Sequence, residues 1–163
     1  MRHQVHRLLD QRGMTLVEIL IAVVIIMIAL LGLASGIPIA SYGIQEGSQL
    51  TTATFLANQR LEQVKAAAWT STPGPDTLGV GPTAAPVGTL GITFPDETPM
   101  ANPYTQYTRQ VRITDCGVGA GCGGLVLPGL RQVTITVSYT PLTGVGVGTS
   151  AKSAIVTMLV AQR

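Results

Sequence analysis

The sequence predicts an α+β protein: one long N-terminal α-helix, wholly apolar in its first half, whose second half packs on a C-terminal antiparallel β-sheet. Three observations predict it. Ile19 to Ala34 reads ILIAVVIIMIALLGLA, sixteen residues without a charge. Leu50, Ala53, Ala57, Leu61, Val64 and Ala68 then recur at spacings of three and four, the stripe of a helix with one buried face. Finally, Val133, Ile135, Val137 and Tyr139 alternate with Thr134, Thr136 and Ser138, the period-two pattern of a half-buried strand.

The chain has 163 residues, of which 11% are charged, against about 25% in an ordinary soluble domain. Its mean hydropathy is +0.40. The net charge of +2 is carried entirely by residues 1–13, where Arg2, Arg7 and Arg12 outweigh Asp10. A neutral body argues against nucleic-acid binding by bulk charge. Two cysteines are too few for a disulfide-dense scaffold or a four-cysteine zinc site. The sequence divides into a basic leader (1–13), an apolar helix (14–38), its amphipathic continuation (39–69), a Pro/Gly-rich loop (70–103) and a sheet-forming head (104–163).

The apolar segment from Met14 to Ser35 has 22 residues. As a helix it spans about 33 Å, enough to cross a bilayer core of about 30 Å. Its arginines precede it, so the positive-inside rule places residues 1–13 in the cytoplasm and residues 39–163 outside. A plain single-pass anchor accounts for that much. A secretory signal cut near Ala34-Ser35-Gly36 accounts for the basic start and the small residues. A leader cut at Gly13, which leaves the apolar helix on the mature chain, accounts in addition for Gly13 at the border and for Glu18.

Glu18 discriminates among these. An acid inside an apolar span costs about 2.5–3.5 kcal/mol on insertion scales, and neither an anchor nor a signal peptide gains from it. A cut before Met14 creates an α-amine one helical turn from Glu18. Among parallel helices, Glu18 of one copy then neutralises the amine of the next, and a paired charge is tolerated where a lone one is not.

Gly13-Met14-Thr15-Leu16-Val17-Glu18-Ile19-Leu20-Ile21-Ala22 resembles the processing site and N-terminal helix of type IV prepilins and pseudopilins. The resemblance implies the pilin fold. It also implies cleavage between Gly13 and Met14 by a membrane-embedded prepilin peptidase, N-methylation of Met14, and Glu18 as the assembly glutamate. Two features depart from the family pattern: Met14 stands where Phe is commonest, and the proline of the helix falls late, at Pro38. Pro38 lacks the N–H that would bond the Ala34 carbonyl, and with Gly32 and Gly36 beside it a kink is expected there.

The run from Ala53 to Lys65, ATFLANQRLEQVK, resembles the corresponding helix of minor pilins, including the pilus-modification-protein V type and the I-type minor pseudopilins of type II secretion. The partners this implies are membrane lipid before assembly, other pilins through the N-terminal helix, the peptidase, and an inner-membrane assembly platform. Thr70-Ser-Thr-Pro-Gly-Pro75 is a strong helix stop, and the rod from Met14 to Trp69 would be about 84 Å long. Prolines from 73 to 103 break any long element, and the acidic pair Asp96-Glu97 in that loop reads as solvated surface.

In the head, Tyr107, Arg109, Val111 and Ile113 alternate with Thr108, Gln110 and Arg112, and Ile155 to Val160 forms a last strand. Pro141 to Ser150 supplies the turn before it. Such a sheet has one face for the helix stripe. Cys116 and Cys122 enclose Gly-Val-Gly-Ala-Gly. Outside the cytoplasm a disulfide is permitted, and closing this loop is worth about 2 kcal/mol in the chain-entropy model. A metal at the thiols lacks further ligands, because His3 and His6 lie in the leader.

For the same reason no Ser-His-Asp or Cys-His set forms outside the membrane, and the Gly-rich run 117–124 lacks the Lys-Ser/Thr of a phosphate loop. No catalytic residue, metal ligand or cofactor is expected. The expected function is that of a minor pilin or pseudopilin. The rival is a DNA- or surface-binding minor pilin, with Arg109, Arg112 and Arg131 on one basic face and Tyr104 and Tyr107 stacking. Nucleic acid is an unlikely partner, because three arginines make a faint electrostatic footprint.

Overall fold

The computed structural model of the chain describes residues 14–67, 69, 76–141 and 150–162. The leader with Gly13, Ala68 of the expected stripe, the whole of the expected helix stop at 70–75, and most of the turn between the last strands lie outside the described residues. The elements are α1 (Leu16–Ala66), β1 (Val87–Gly88), β2 (Gly91–Ile92), β3 (Tyr107–Asp115), β4 (Leu130–Tyr139) and β5 (Lys152–Ala161). The chain divides into two compact units, Met1–Tyr42 and Gly43–Arg163.

The described part of the first unit is helix. It opens on Thr15, whose Oγ1 accepts the Glu18 N–H at 3.3 Å. This is the N-cap bond that satisfies one of the orphan donors of the first turn. Glu18 lies in that turn, where a carboxylate complements the helix dipole. Helical structure is continuous through Pro38.

The second unit carries the core. The helix ends at Ala66, with Lys65 in its last turn, and the Ala67 N–H bonds back to Val64 O. Trp69 is not helical; it bridges to Asp76 and is buried, which draws the chain off the helix three residues before the end expected from sequence. Ala53, Leu56, Ala57 and Val64 are fully buried and pack with Tyr107, Val111, Ile113, Val133, Ile135, Val137 and Tyr139. The stripe thus runs one residue out of phase with its expected start. Gln49 is buried where Leu50 was expected, Leu56 joins the core, and Leu50 is exposed.

β3, β4 and β5 form an antiparallel sheet in that order, with Val111 opposite Ile135 and Thr134 opposite Thr157. Burial alternates strictly along β4. From Gln132 to Tyr139 the apolar residues face the core, and Thr, Gln and Ser take the other side, as expected for a sheet with one solvated face; Arg131 is the charged exception on the inner side. The segment 76–103 is more structured than its proline content suggests. A short hairpin joins β1 to β2, Gly81 pairs with Ile113, and Glu97 pairs with Arg109, so the loop covers the free edge of β3. Gly79, at φ +68, is required here: a Cβ would lie 2.6 Å from the Val87 carbonyl carbon.

Candidate functional site

Two regions hold the residues singled out by sequence. The first is the start of α1. Met14 and Glu18 are exposed, as are the large apolar side chains from Leu16 to Ile39, with Leu16 at 74%, Leu31 at 72% and Ile39 at 72%. The most apolar stretch of 18 residues in the helix has a mean hydropathy of 3.1, and none of it is buried within the chain. By length and composition this helix is able to cross a membrane. Thr15 and Glu18 stand at N-cap and N3, the spacing of a capping box. That signal was legible in Thr-Leu-Val-Glu; here its bond is the one from the Glu18 backbone N–H to Thr15 Oγ1.

Residues 8–34 match the prokaryotic N-terminal methylation motif. The motif marks a type IV pilin-like precursor of the kind processed by prepilin peptidase, and the proteins that carry it are structural rather than catalytic. The long apolar helix followed by an antiparallel sheet agrees with a pilin fold. No curated protein and no solved structure matches the chain.

The second region is the head of this pilin-like chain. Here Glu97, one member of the acidic pair, departs from expectation. Asp96 accepts two parallel bonds from Arg112, at 2.7 and 2.8 Å. Glu97 Oε1 accepts from Arg60 of the helix at 2.5 Å, and its Oε2 from Arg109 Nε at 2.7 Å. Glu97 joins helix, loop and sheet, while Asp96 stays exposed and pairs with Arg112 at the surface. Burial pushes the Arg109 guanidinium below its usual range, and the neighbouring Arg60 adds to this, while Glu97 opposes both.

The three arginines of the rival reading do not share a face. Arg109 and Arg131 are buried toward the core, and Arg112 projects from the other side of β3. Each is paired: Arg131 donates to Asp76 at 2.7 Å and lies 4.3 Å over the Trp69 ring. Tyr107 is buried, and meets Tyr104 edge-on with ring centres 6.3 Å apart. A basic, aromatic face for nucleic acid is therefore not formed by these residues. The sequence shows Arg109 among the inward positions of β3 but does not show its partner, twelve residues upstream.

Cys116 and Cys122 are joined by a disulfide. Both are buried. Cys116 bonds through its backbone to Leu130 and Leu127, and Cys122 to Leu125, so the loop between β3 and β4 is fastened to the start of β4. Gly121 turns inside it at φ +67, where a Cβ would fall 2.2 Å from Leu125 O. Among the described residues, no group of three or more His, Cys, Asp or Glu is placed to hold a metal.

Proposed function

We propose that the chain is a minor pilin or pseudopilin. Prepilin peptidase cuts it between Gly13 and Met14 and methylates the Met14 amine. The mature chain waits in the inner membrane with its head outside the cytoplasm. An assembly platform then extracts it into a type IV pilus or a type II secretion pseudopilus. In that filament Glu18 neutralises the terminal amine of a neighbouring subunit and sets axial register, and Pro38 gives the helix local freedom as it packs.

The observation that carries this reading is the uncovered apolar helix behind a methylation motif. Each large aliphatic side chain left in water forgoes about 1.5–3 kcal/mol of burial, and more than a dozen lie exposed between Leu16 and Ile39. Lipid covers them before assembly and other helices cover them afterwards. The plain-anchor alternative accounts for the lipid but gives the Glu18 carboxylate no counter-charge.

Glu18→Ala tests the proposal. The N-cap bond uses the Glu18 backbone N–H, so the variant keeps its helix start and inserts in the membrane normally. It is expected to be missing from the sheared filament fraction. Incorporation at the normal level would remove Glu18 from the assembly step.

A further inference from the structure

We infer that the head holds a binding site for a neutral saccharide of one or two rings, in a cleft between the helix and the chain leading into β3. The cleft has a volume of about 450 Å³, within the roughly 300–1,000 Å³ of small-molecule sites. Gln45, Ser48, Gln49 and Thr52 line it from the helix, and Pro103, Tyr104, Gln106 and Tyr107 from the other side. None of these residues is charged.

The helix residues fall at i, i+3, i+4 and i+7, so they share one face. This is the face that becomes apolar and fully buried from Ala53 onward. Its polar character where the cleft opens is not explained by packing. Gln49 makes the point sharply. The residue is 7% exposed, and its Oε1 has no hydrogen-bond partner. A buried acceptor left unpaired destabilises the fold, whereas leucine would fill the same position without that cost. The Oε1 is closed to solvent, so a turn of the Gln49 side chain toward the cleft as a ligand enters would let a ligand O–H satisfy it.

The lining selects the ligand class. Without a charge it offers nothing to an anion or a cation. With three amides and four hydroxyls, two of them phenolic, it does not suit an aliphatic chain. A sugar ring matches both parts of it: its hydroxyls suit the Gln and Ser/Thr groups, and its C–H face suits the half-exposed ring of Tyr104. The Tyr107 hydroxyl, which donates to Gln49 O at 3.4 Å, ties the two walls together. This site needs neither processing nor assembly, so it stands or falls apart from the filament reading.

The test uses the full chain in phosphatidylcholine nanodiscs, free of sugar-headed detergent. Saturation-transfer NMR is run with glucose, galactose, mannose and N-acetylglucosamine, each as the free sugar and as its β1–4 or α1–4 linked oligomer. At least one probe is expected to bind saturably below about 10 mM. Gln49→Leu is expected to keep or raise the thermal midpoint and to weaken binding at least about tenfold. Gln106→Ala, at the exposed rim, should weaken binding with no change in stability. Tighter binding of the oligomer would point to a surface polymer as the source, and equal binding to the free sugar. Absence of saturable binding to every probe would overturn the inference, as would a Gln49→Leu variant that is less stable or that binds unchanged.

Discussion

Glu97 and Arg109 are joined twice. Each donates its backbone N–H to the other's carbonyl, at 2.9 and 3.0 Å, and the Glu97 carboxylate accepts from the Arg109 guanidinium at 2.7 Å. Arg109 also donates to Leu56 O of the helix at 3.2 Å, and Arg60 reaches the second carboxylate oxygen. One loop acid thus holds two mostly buried cations in place between helix and sheet. Removing it leaves both uncompensated. Glu97→Gln should cost about 3 kcal/mol, as expected for breaking a buried pair. Denaturant unfolding followed by the fluorescence of Trp69, the only tryptophan, checks this. A loss below about 1 kcal/mol, the size of an exposed ion pair, would contradict it.

The disulfide gives a second prediction. Cys116→Ser with Cys122→Ser opens a loop of seven residues and should lower stability by about 2 kcal/mol. The sheet should stay intact, because β3 and β4 pair along nine residue positions independently of the bridge. Circular dichroism and the same unfolding assay measure both parts.

Acid should weaken the head through two aspartates. The Arg131 hydrogen bond holds the Asp76 carboxyl below the usual carboxylate range; burial opposes it and the Gly79 N–H assists. Arg112 does the same for Asp96, again against burial. A carboxyl with a lowered folded pKa contributes stability above its unfolded value, near 3.9, and loses it as pH falls through the folded value. Stability should therefore be flat near neutrality and fall below about pH 4. Asp76→Asn should be less stable at pH 7 and show a shallower acid limb. Because Arg131 lies over Trp69, the same loss should register in Trp69 emission.

Gly79→Ala should destabilise by about 2 kcal/mol or more, since it combines a left-handed backbone with a close approach to Val87. Gly32→Ala, in open space on the helix, should leave the head's unfolding unchanged. Unfolding midpoints of the two variants, compared side by side, check the contrast.

What the sequence revealed follows the range of the interactions involved. The apolar run and the β4 alternation are local and strong, and they lead directly to α1 and β4. The inward position of Arg109 follows from strand parity alone. The phase of the helix stripe did not follow. Gln49 is buried and Leu50 exposed because the inward face is set by the packing of Ala53, Leu56, Ala57 and Val64, and Gln49 lies one turn before Ala53 on that face. Asp96 and Glu97 resembled loop surface because their arginines lie twelve or more residues away, and a hydrogen bond across that separation leaves no periodic trace. Trp69 looked like a helix end for the same reason: its partners, Asp76 and Arg131, come from later in the chain.

The most direct measurement is the N-terminus of the protein recovered from the membrane, by N-terminal sequencing and intact mass. The expected mature chain begins at Met14, bears one methyl group on its α-amine, and keeps residues 14–38. A chain that retains Met1, or that begins near Ile37 after loss of the apolar helix, would contradict it.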